Sequence, residues 1–159
     1  MELFLKDDEI IVSKTDLKGR ITYGNQVFIK LSGYEESELL GKPHNIVRHR
    51  DMPKCVFKLL WDHIESGKEI FAYVVNQSKN GDHYWVFANV TPSFDINGKI
   101  IGYYSVRRKP KVEALKIIQS MYASLLGAER SGGMSSGMKL LEETLKGKGV
   151  SYDEFILSL

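Results

Sequence analysis

Two parts of the chain alternate apolar and polar residues with a period of two, and this pattern predicts β-strands. The first part predicts a hairpin with strands over 10–15 and 21–23. The second predicts three strands over 69–77, 83–92 and 100–108, joined by Asn-Gly turns that tolerate positive φ. Because a lone hairpin is only marginally stable, we expect the strands to join edge to edge into one five-stranded antiparallel sheet.

Between the two groups of strands, apolar residues recur at the spacing of amphipathic helices. Short helices are predicted over 26–31, where Asn25 can cap the first turn, and over 37–40. A longer helix begins at Pro53, a good first helical residue, and ends at Gly67. The pattern therefore predicts an α+β fold in which helices cover one face of the sheet and leave a cavity beneath them.

The chain beyond Pro110 has apolar stripes at helical spacing and predicts a helical tail. The run 131–133, Ser-Gly-Gly, is expected to break the tail, and 135–137, Ser-Ser-Gly, to extend the break as a loop. Helices this short are unstable alone, so we expect them to pack on the outer sheet face, to pair with a second copy or to bind a partner helix. The predicted units are a cap, a sensor-type domain and a tail: 1–9, 10–110 and 111–159.

Composition limits the possible functions. A net charge of +2 gives no reason to expect nucleic acid as a partner. The single cysteine, Cys55, excludes an internal disulfide and is typical of a reducing compartment. Because no apolar run approaches the ~20 residues of a membrane span and no signal peptide is recognisable, we expect a cytoplasmic protein without direct membrane insertion. No nucleophile–base pair or metal constellation occurs at interpretable spacing, so we do not expect an enzyme.

The segment 43–53 lies between two prolines and is unusual for its mixture of side chains. Each proline disfavours helix at the residue before it, so both ends are predicted boundaries. Apolar residues alternate with polar and charged ones within the segment. The mixture is typical of a half-buried segment whose polar groups face a ligand, although a solvated surface crossover is the alternative.

The strand order and several motifs resemble PAS domains, and in particular those of the bacterial aerotaxis and energy-taxis (Aer-like) sensor family. Within that family the resemblance is to free-standing, CetB-type members, and it covers roughly residues 10–108. It implies the PAS fold, FAD as cofactor, and signalling of redox state to the chemotaxis machinery through a separate membrane-bound chemoreceptor. The motifs that carry it are Gly33-Tyr34, Glu38-Leu39-Leu40-Gly41, Pro43-His44-Asn45, Arg48-His49, Asp51-Met52-Pro53 and Asn80-Gly81-Asp82-His83-Tyr84-Trp85-Val86.

The resemblance also implies which residues bind the flavin. Asn76 matches an asparagine that contacts the flavin ring in related flavin PAS domains, and Trp61 matches a tryptophan near the flavin in the NifL-like branch. His44 falls where light-sensing relatives carry their adduct-forming cysteine. The implied cofactor-binding set is His44, Asn45, Arg48, His49, Trp61 and Asn76.

Three residues depart from the family pattern: Phe71, Tyr73 and Val86. They keep one alternative open, and the two histidines of the segment 43–53 keep a second one open. One is a cofactor-free interaction or dimerisation module, and the other is a haem-based gas sensor that uses His44 or His49 as axial ligand.

Strand alternation also predicts the face of the sheet that points away from the cavity. That face carries Tyr73, Trp85, Phe87 and Asn89. An aromatic patch on an outer face indicates a partner or a docked helix. We therefore expect these residues and the tail to bind the HAMP or signalling region of a chemoreceptor, or a second copy, which would associate the protein with the inner membrane indirectly.

Overall fold

The computed structural model describes residues 1–159, and its centre is one mixed sheet of six strands. From β4 the strands run in the order β4, β5, β6, β2 and β3, all antiparallel to their neighbours. The α+β prediction and the five expected strands are confirmed. The strands are β1 (Glu2–Leu3), β2 (Ile11–Thr15), β3 (Ile21–Gly24), β4 (Ile70–Gln77), β5 (His83–Phe94) and β6 (Ile100–Arg108).

The N-terminal segment differs from the prediction of five antiparallel strands. β1 is a sixth strand, and it pairs in parallel with the start of β5, with Leu3 opposite Tyr84. Leu5 follows it and is buried against the inner core. A two-residue strand is too short to show alternation, so the sequence held no periodic signal for it.

The helices lie where the apolar periodicity predicts them. The side-chain oxygen of Asn25 accepts hydrogen bonds from the backbone N–H groups of Phe28 and Val12, at 3.0 and 3.1 Å, and so fixes the first helix to β2. The elements are α1 (Gln26–Ser32), α2 (Glu36–Leu39), a 3-10 helix (His44–Val47), α3 (Lys54–Glu65), α4 (Val112–Lys148) and α5 (Tyr152–Leu157). No helix of the chain is both long enough and apolar enough to cross a lipid bilayer.

The tail covers the outer face of the sheet. The Tyr122 hydroxyl on α4 donates a hydrogen bond of 2.5 Å to the Tyr73 backbone carbonyl, and its ring lies 5.9 Å from that of Trp85. Further along α4 and α5, Leu141 and Ile156 are buried in the same apolar cluster. The tail thus takes the first of the three expected arrangements, packing on its own domain.

The break in the tail is shorter than predicted. Only Gly133, with φ 77° and ψ −171°, leaves the helical conformation, and α4 resumes directly after it. The expected loop over 135–137 is therefore wrong. Glycine adopts this positive φ without strain, so one residue is enough to redirect the helix. Burial of the apolar stripe that follows then favours the helical conformation for residues 135–137.

A side chain of the tail also caps the helix that covers the pocket. The Glu129 carboxylate on α4 accepts hydrogen bonds from the backbone N–H groups of Lys54 and Cys55, at 3.0 and 2.8 Å. These are the first N–H groups of α3, which have no partner within the helix. Negative charge also interacts favourably with a helix N-terminus, so the contact joins α4 to α3 firmly.

Candidate functional site

A pocket lies between α3 and the inner face of the sheet. It holds about 660 Å³ of space between atoms, counting the part that opens to solvent. No aspartate or glutamate is among its lining residues. The lining residues are Ser13, Thr15, His44, Arg48, Phe57, Leu60, Trp61, Ile64, Val74, Asn76, Ala88, Val90, Tyr103, Tyr104, Ser105 and Arg107.

One wall of the pocket is a single face of α3. Phe57, Leu60, Trp61 and Ile64 recur at helical spacing and all contact the pocket. The Trp61 ring meets the Tyr103 ring edge to face, with centroids 5.6 Å apart. Small and aliphatic side chains of the sheet form the opposite wall, so the cavity is apolar over most of its surface.

A group of side chains around a buried arginine, the Arg107 cluster, interrupts these apolar walls. The cluster consists of Arg107, Ser13, His44 and Phe28. The Arg107 guanidinium donates a hydrogen bond to the Ser13 hydroxyl and lies over the Phe28 ring, 4.9 Å from its centroid. His44 Nε2 is 2.8 Å from the same hydroxyl, and its ring stacks on Phe28 at 5.7 Å.

The only full charge in the Arg107 cluster is that of Arg107 itself. Burial, and then the neighbouring Arg107 cation, lower the pKa of His44 to about 3, so its imidazole is neutral at physiological pH. Burial lowers the pKa of Arg107 to about 10, which leaves the guanidinium protonated. Arg107 is 2% exposed and is not among the ion-paired residues. The cluster is therefore a buried cation without a counter-ion.

Several buried polar atoms of the pocket have no hydrogen-bond partner within the protein. They are Asn76 Nδ2, Arg107 Nε and Thr15 Oγ1. An unsatisfied buried donor costs about 1–3 kcal/mol, so native structures seldom leave several in one place. These atoms therefore indicate a ligand with acceptor atoms.

Four of the six residues expected to bind a cofactor line the pocket, and the structure brings them together from different elements. His44 comes from the 3-10 helix, Trp61 from α3 and Asn76 from β4. Arg48 follows the 3-10 helix, and its backbone forms an isolated antiparallel bridge with Asn76. That bridge fixes segment 43–53 to the edge strand of the sheet.

Asn45 and His49 do not line the pocket. Asn45 is exposed on the 3-10 helix. The His49 ring lies 5.5 Å from that of His83, and His49 Nδ1 accepts a 3.0 Å hydrogen bond from the Asp51 N–H. Successive residues of a 3-10 helix lie about 120° apart around its axis, so Asn45 points away from its neighbour His44. His49 lies beyond the end of that helix.

Sequence reasoning included His44 but missed Arg107 and Ser13, which form the rest of the polar part of the Arg107 cluster. Arg107 pairs with Ala88 across β5 and β6, and Ser13 pairs with Ser105 across β2 and β6. Alternation along β6 was the available signal, because it places Tyr103 and Arg107 on one face. The alternation alone, however, gave no reason to expect an arginine in the interior.

The residues expected to bind a partner all lie on β4 and β5, facing the tail. Tyr73 is 3% exposed, and its ring packs against Phe87 with centroids 4.9 Å apart. Trp85 lies against the tail, as described above. Asn89 donates a 3.4 Å hydrogen bond to the Ile70 carbonyl and is half-buried. In this arrangement the aromatic face contacts the chain's own helix.

A sheet with short helices over one face, a pocket beneath them and a helix across the other face defines a PAS-type sensory domain. The chain belongs to the PAS fold family, whose sequence pattern matches residues 21–107. The expected PAS resemblance is therefore confirmed.

The similar proteins of known function are longer than this chain. It is 41% identical over 134 residues to the aerotaxis receptor of Escherichia coli strain K12, a match that covers 84% of this chain and 26% of the receptor. It is 24% identical over 99 residues to a nitrogen fixation regulatory protein of Klebsiella pneumoniae, covering 62% and 20%. The chain thus spans about a quarter or less of the length of these relatives.

Solved structures share the fold at low sequence identity. The light-state structure of the blue-light photoreceptor Aureochrome1 LOV aligns with a TM-score of 0.60 and 23% identity, over 67% of this chain and 86% of that one. An RNA-binding light-oxygen-voltage receptor aligns at 0.62 and 16% identity, over 79% and 37%. At these identities the likeness establishes the fold alone.

Proposed function

We propose that this chain is a flavin-binding PAS sensor for aerotaxis or energy taxis, with FAD as its flavin. The observation that supports this most is the pocket beneath α3, which combines apolar walls with buried polar atoms that lack partners. A flavin ring has the complementary character, since its faces are flat and largely apolar and its edges carry hydrogen-bonding atoms. The similarity to an aerotaxis receptor supports the taxis context.

The residues present suit such a ring. Trp61 and the aliphatic wall would cover its faces, while Asn76 and Arg107 would donate hydrogen bonds to acceptor atoms at its edge. Arg48, which lies over the Phe57 ring at 4.9 Å, is half-buried and could meet a ribityl or phosphate oxygen of FAD. When bound, a flavin supplies reversible oxidation and reduction.

The sheet and α3 provide the route from pocket to tail. α3 contacts the pocket with one face, and its first turn is capped by Glu129 of the tail. β4 presents Asn76 to the pocket and Tyr73 to Tyr122. If a change in the pocket alters docking of the tail, then by reciprocity tail docking alters the flavin potential. About 1.4 kcal/mol of differential contact corresponds to about 30 mV for a two-electron couple.

The output is proposed to be a protein contact rather than catalysis. The tail, which covers the outer sheet face, would bind the HAMP or signalling region of a membrane-bound chemoreceptor, and a homodimer is a second use of the same surface. In this scheme the protein works in the cytoplasm, and its association with the inner membrane is indirect, through that receptor.

Two of the pocket's features favour a flavin over the haem alternative. His44 Nε2 already shares a hydrogen bond with Ser13, and His49 lies outside the pocket. The cofactor-free alternative requires side chains to fill the cavity, and the unpartnered atoms of Asn76 and Arg107 do not support it.

The test is to purify the full chain, record its visible spectrum, and identify by chromatography any cofactor released on heating. Cofactor-free protein is then titrated separately with FAD, FMN and haemin, followed by gel filtration. We expect flavin absorbance that co-elutes with the protein, with FAD retained more tightly than FMN. Protein that takes up haemin but neither flavin, or none of the three, would refute the proposal.

A further inference from the structure

We propose that the positive charge of Arg107 favours a negatively charged ligand in the pocket. It would thereby raise the redox potential of a flavin bound there. This inference rests on the proposed function and concerns the same site. It assigns Arg107 as a residue that tunes the potential, a role distinct from merely holding the ring.

The proposal is based on the observation that no anionic side chain neutralises the positive charge of Arg107. The residue is 2% exposed, its Nε has no hydrogen-bond partner, and no carboxylate lines the pocket. Taking a cation out of water costs several kcal/mol unless an anion pairs with it. Buried charges are therefore normally paired, and an anion from outside the chain is the missing partner.

The groups that surround the Arg107 guanidinium in the cluster are neutral. β2 contributes the Ser13 hydroxyl, the 3-10 helix contributes the neutral His44 ring, and α1 contributes the Phe28 ring. The Tyr84 hydroxyl on β5 is buried and also lacks a partner. These contacts hold the guanidinium in place without neutralising it, so a ligand meets a preorganised positive charge.

A flavin acquires the matching charge on reduction. Two-electron reduction with uptake of one proton leaves a net negative charge on the ring, while uptake of two protons leaves it neutral. In the experiment the electrons come from dithionite, which is oxidised to sulfite, and the proton comes from solvent. A fixed cation nearby stabilises the charged product relative to the neutral oxidised ring.

The experiment compares the midpoint potentials of flavin-loaded wild type, Arg107→Met, Arg107→Gln, Arg107→Lys and Arg108→Met at pH 7, by titration with dithionite against a reference dye. Arg108 is the matched control, since it is the next residue on β6 and is exposed on the other face. We expect the reduced-to-oxidised ratio at a given potential to fall at least tenfold in the two neutral variants, which is a shift of about −30 mV. Arg107→Lys should recover most of this shift, and Arg108→Met should match wild type.

A shift of twofold or less in the neutral variants, about 9 mV, would overturn the role of Arg107 while leaving the flavin site intact. Failure of wild-type protein to take up flavin would instead overturn the proposed function. If Arg107→Met does not fold, Arg107→Gln supplies the neutral comparison, since its amide can still hydrogen-bond Ser13.

Urea unfolding of the cofactor-free proteins gives a second, independent readout. Arg107→Met should unfold at the same urea concentration as wild type or at a higher one, because it removes an unpaired buried charge. A loss of stability larger than that of Arg108→Met would show a structural role and overturn the inference.

Discussion

Asn76 is a buried amide with an unpaired hydrogen-bond donor, which is unusual for a residue of the core. The residue is 3% exposed, and its Nδ2 has no partner. Its backbone is held by β5 on one side and by the bridge to Arg48 on the other, so the amide cannot easily move to find a partner. The simplest physical account is that a ligand accepts its hydrogen bond.

Replacing Asn76 with alanine is therefore expected to weaken flavin binding about tenfold, equivalent to the loss of one hydrogen bond worth about 1–1.5 kcal/mol. Fluorescence titration of cofactor-free protein with FAD gives the dissociation constant. The control is Gln77→Ala, which changes a neighbouring amide on the opposite face of β4. Equal affinities for wild type and Asn76→Ala would remove Asn76 from the flavin site.

His44 makes a prediction about pH. Its pKa is lowered to about 3 in the folded protein, while the unfolded chain has the ordinary value near 6.5. Between these values the unfolded state binds a proton that the native state does not, so this group makes folding less favourable as pH falls from 6.5 towards 3. The slope is at most about 1.4 kcal/mol per pH unit.

The measurement is urea unfolding of cofactor-free wild type and His44→Gln at a series of pH values from 7 to 4.5. The glutamine can still hydrogen-bond Ser13 but does not titrate. We expect the stability of wild type to fall more steeply than that of the variant below pH 6.5. Parallel curves would mean that His44 takes up its proton at the same pH in the native state as in the unfolded chain.

At the scale of elements, the contact between Glu129 and the start of α3 is the most specific link between tail and pocket. It satisfies two N–H groups that a helix cannot satisfy internally. Gly137 approaches the same carboxylate closely, and a Cβ there would lie 2.7 Å from Glu129 Cγ. A larger residue at position 137 would therefore displace the Glu129 side chain.

Glu129→Ala should lower the free energy of unfolding by about 1 kcal/mol, the usual cost of losing a helix cap. Hydrogen exchange should also become faster at the amides of Lys54 and Cys55 and remain unchanged in β2. The matched control is Glu143→Ala, an exposed glutamate further along the same helix. Exchange at the start of α3 that is equally slow in both variants would contradict the capping role.

How far the sequence predicts these elements depends on length and periodicity. β4, β5 and β6 are long enough to show alternation, and their observed bounds lie within about two residues of the expected ones. β1 has two residues and no period, so it was invisible. At Gly133 the sequence located the break correctly, but its length depends on burial of the helix that follows, which local composition does not report.

The same limit applies to the pocket. Resemblance to a family placed Trp61 and Asn76, and the structure puts both on the cavity wall. Arg107 was missed because an arginine near a strand end is normally exposed, and only the pairing of β6 with both β2 and β5 places it inside. Asn45 and His49 were included because motif matching does not resolve which way neighbouring side chains point.

At the scale of the whole molecule, one apolar cluster joins the tail to α3 and to the outer face of the sheet, and it includes the pocket residues Leu60, Ile64 and Tyr103. One face carries the pocket and the Arg107 cluster, and the other carries the tail. β4 and β5 contribute to both faces, and α3 contacts both pocket and tail. This arrangement allows a change on one face to alter packing on the other without a ligand passing between them.

Hydrogen-exchange mass spectrometry of the flavin-loaded protein, oxidised and then reduced by dithionite, tests this coupling most directly. We expect a change in amide protection on reduction in peptides from α3 and from the first half of α4, which carries Tyr122 and Glu129. Cofactor-free protein treated with the same reductant should show no such change. If the pocket strands respond to reduction while α4 remains unchanged, the tail does not report the state of the pocket.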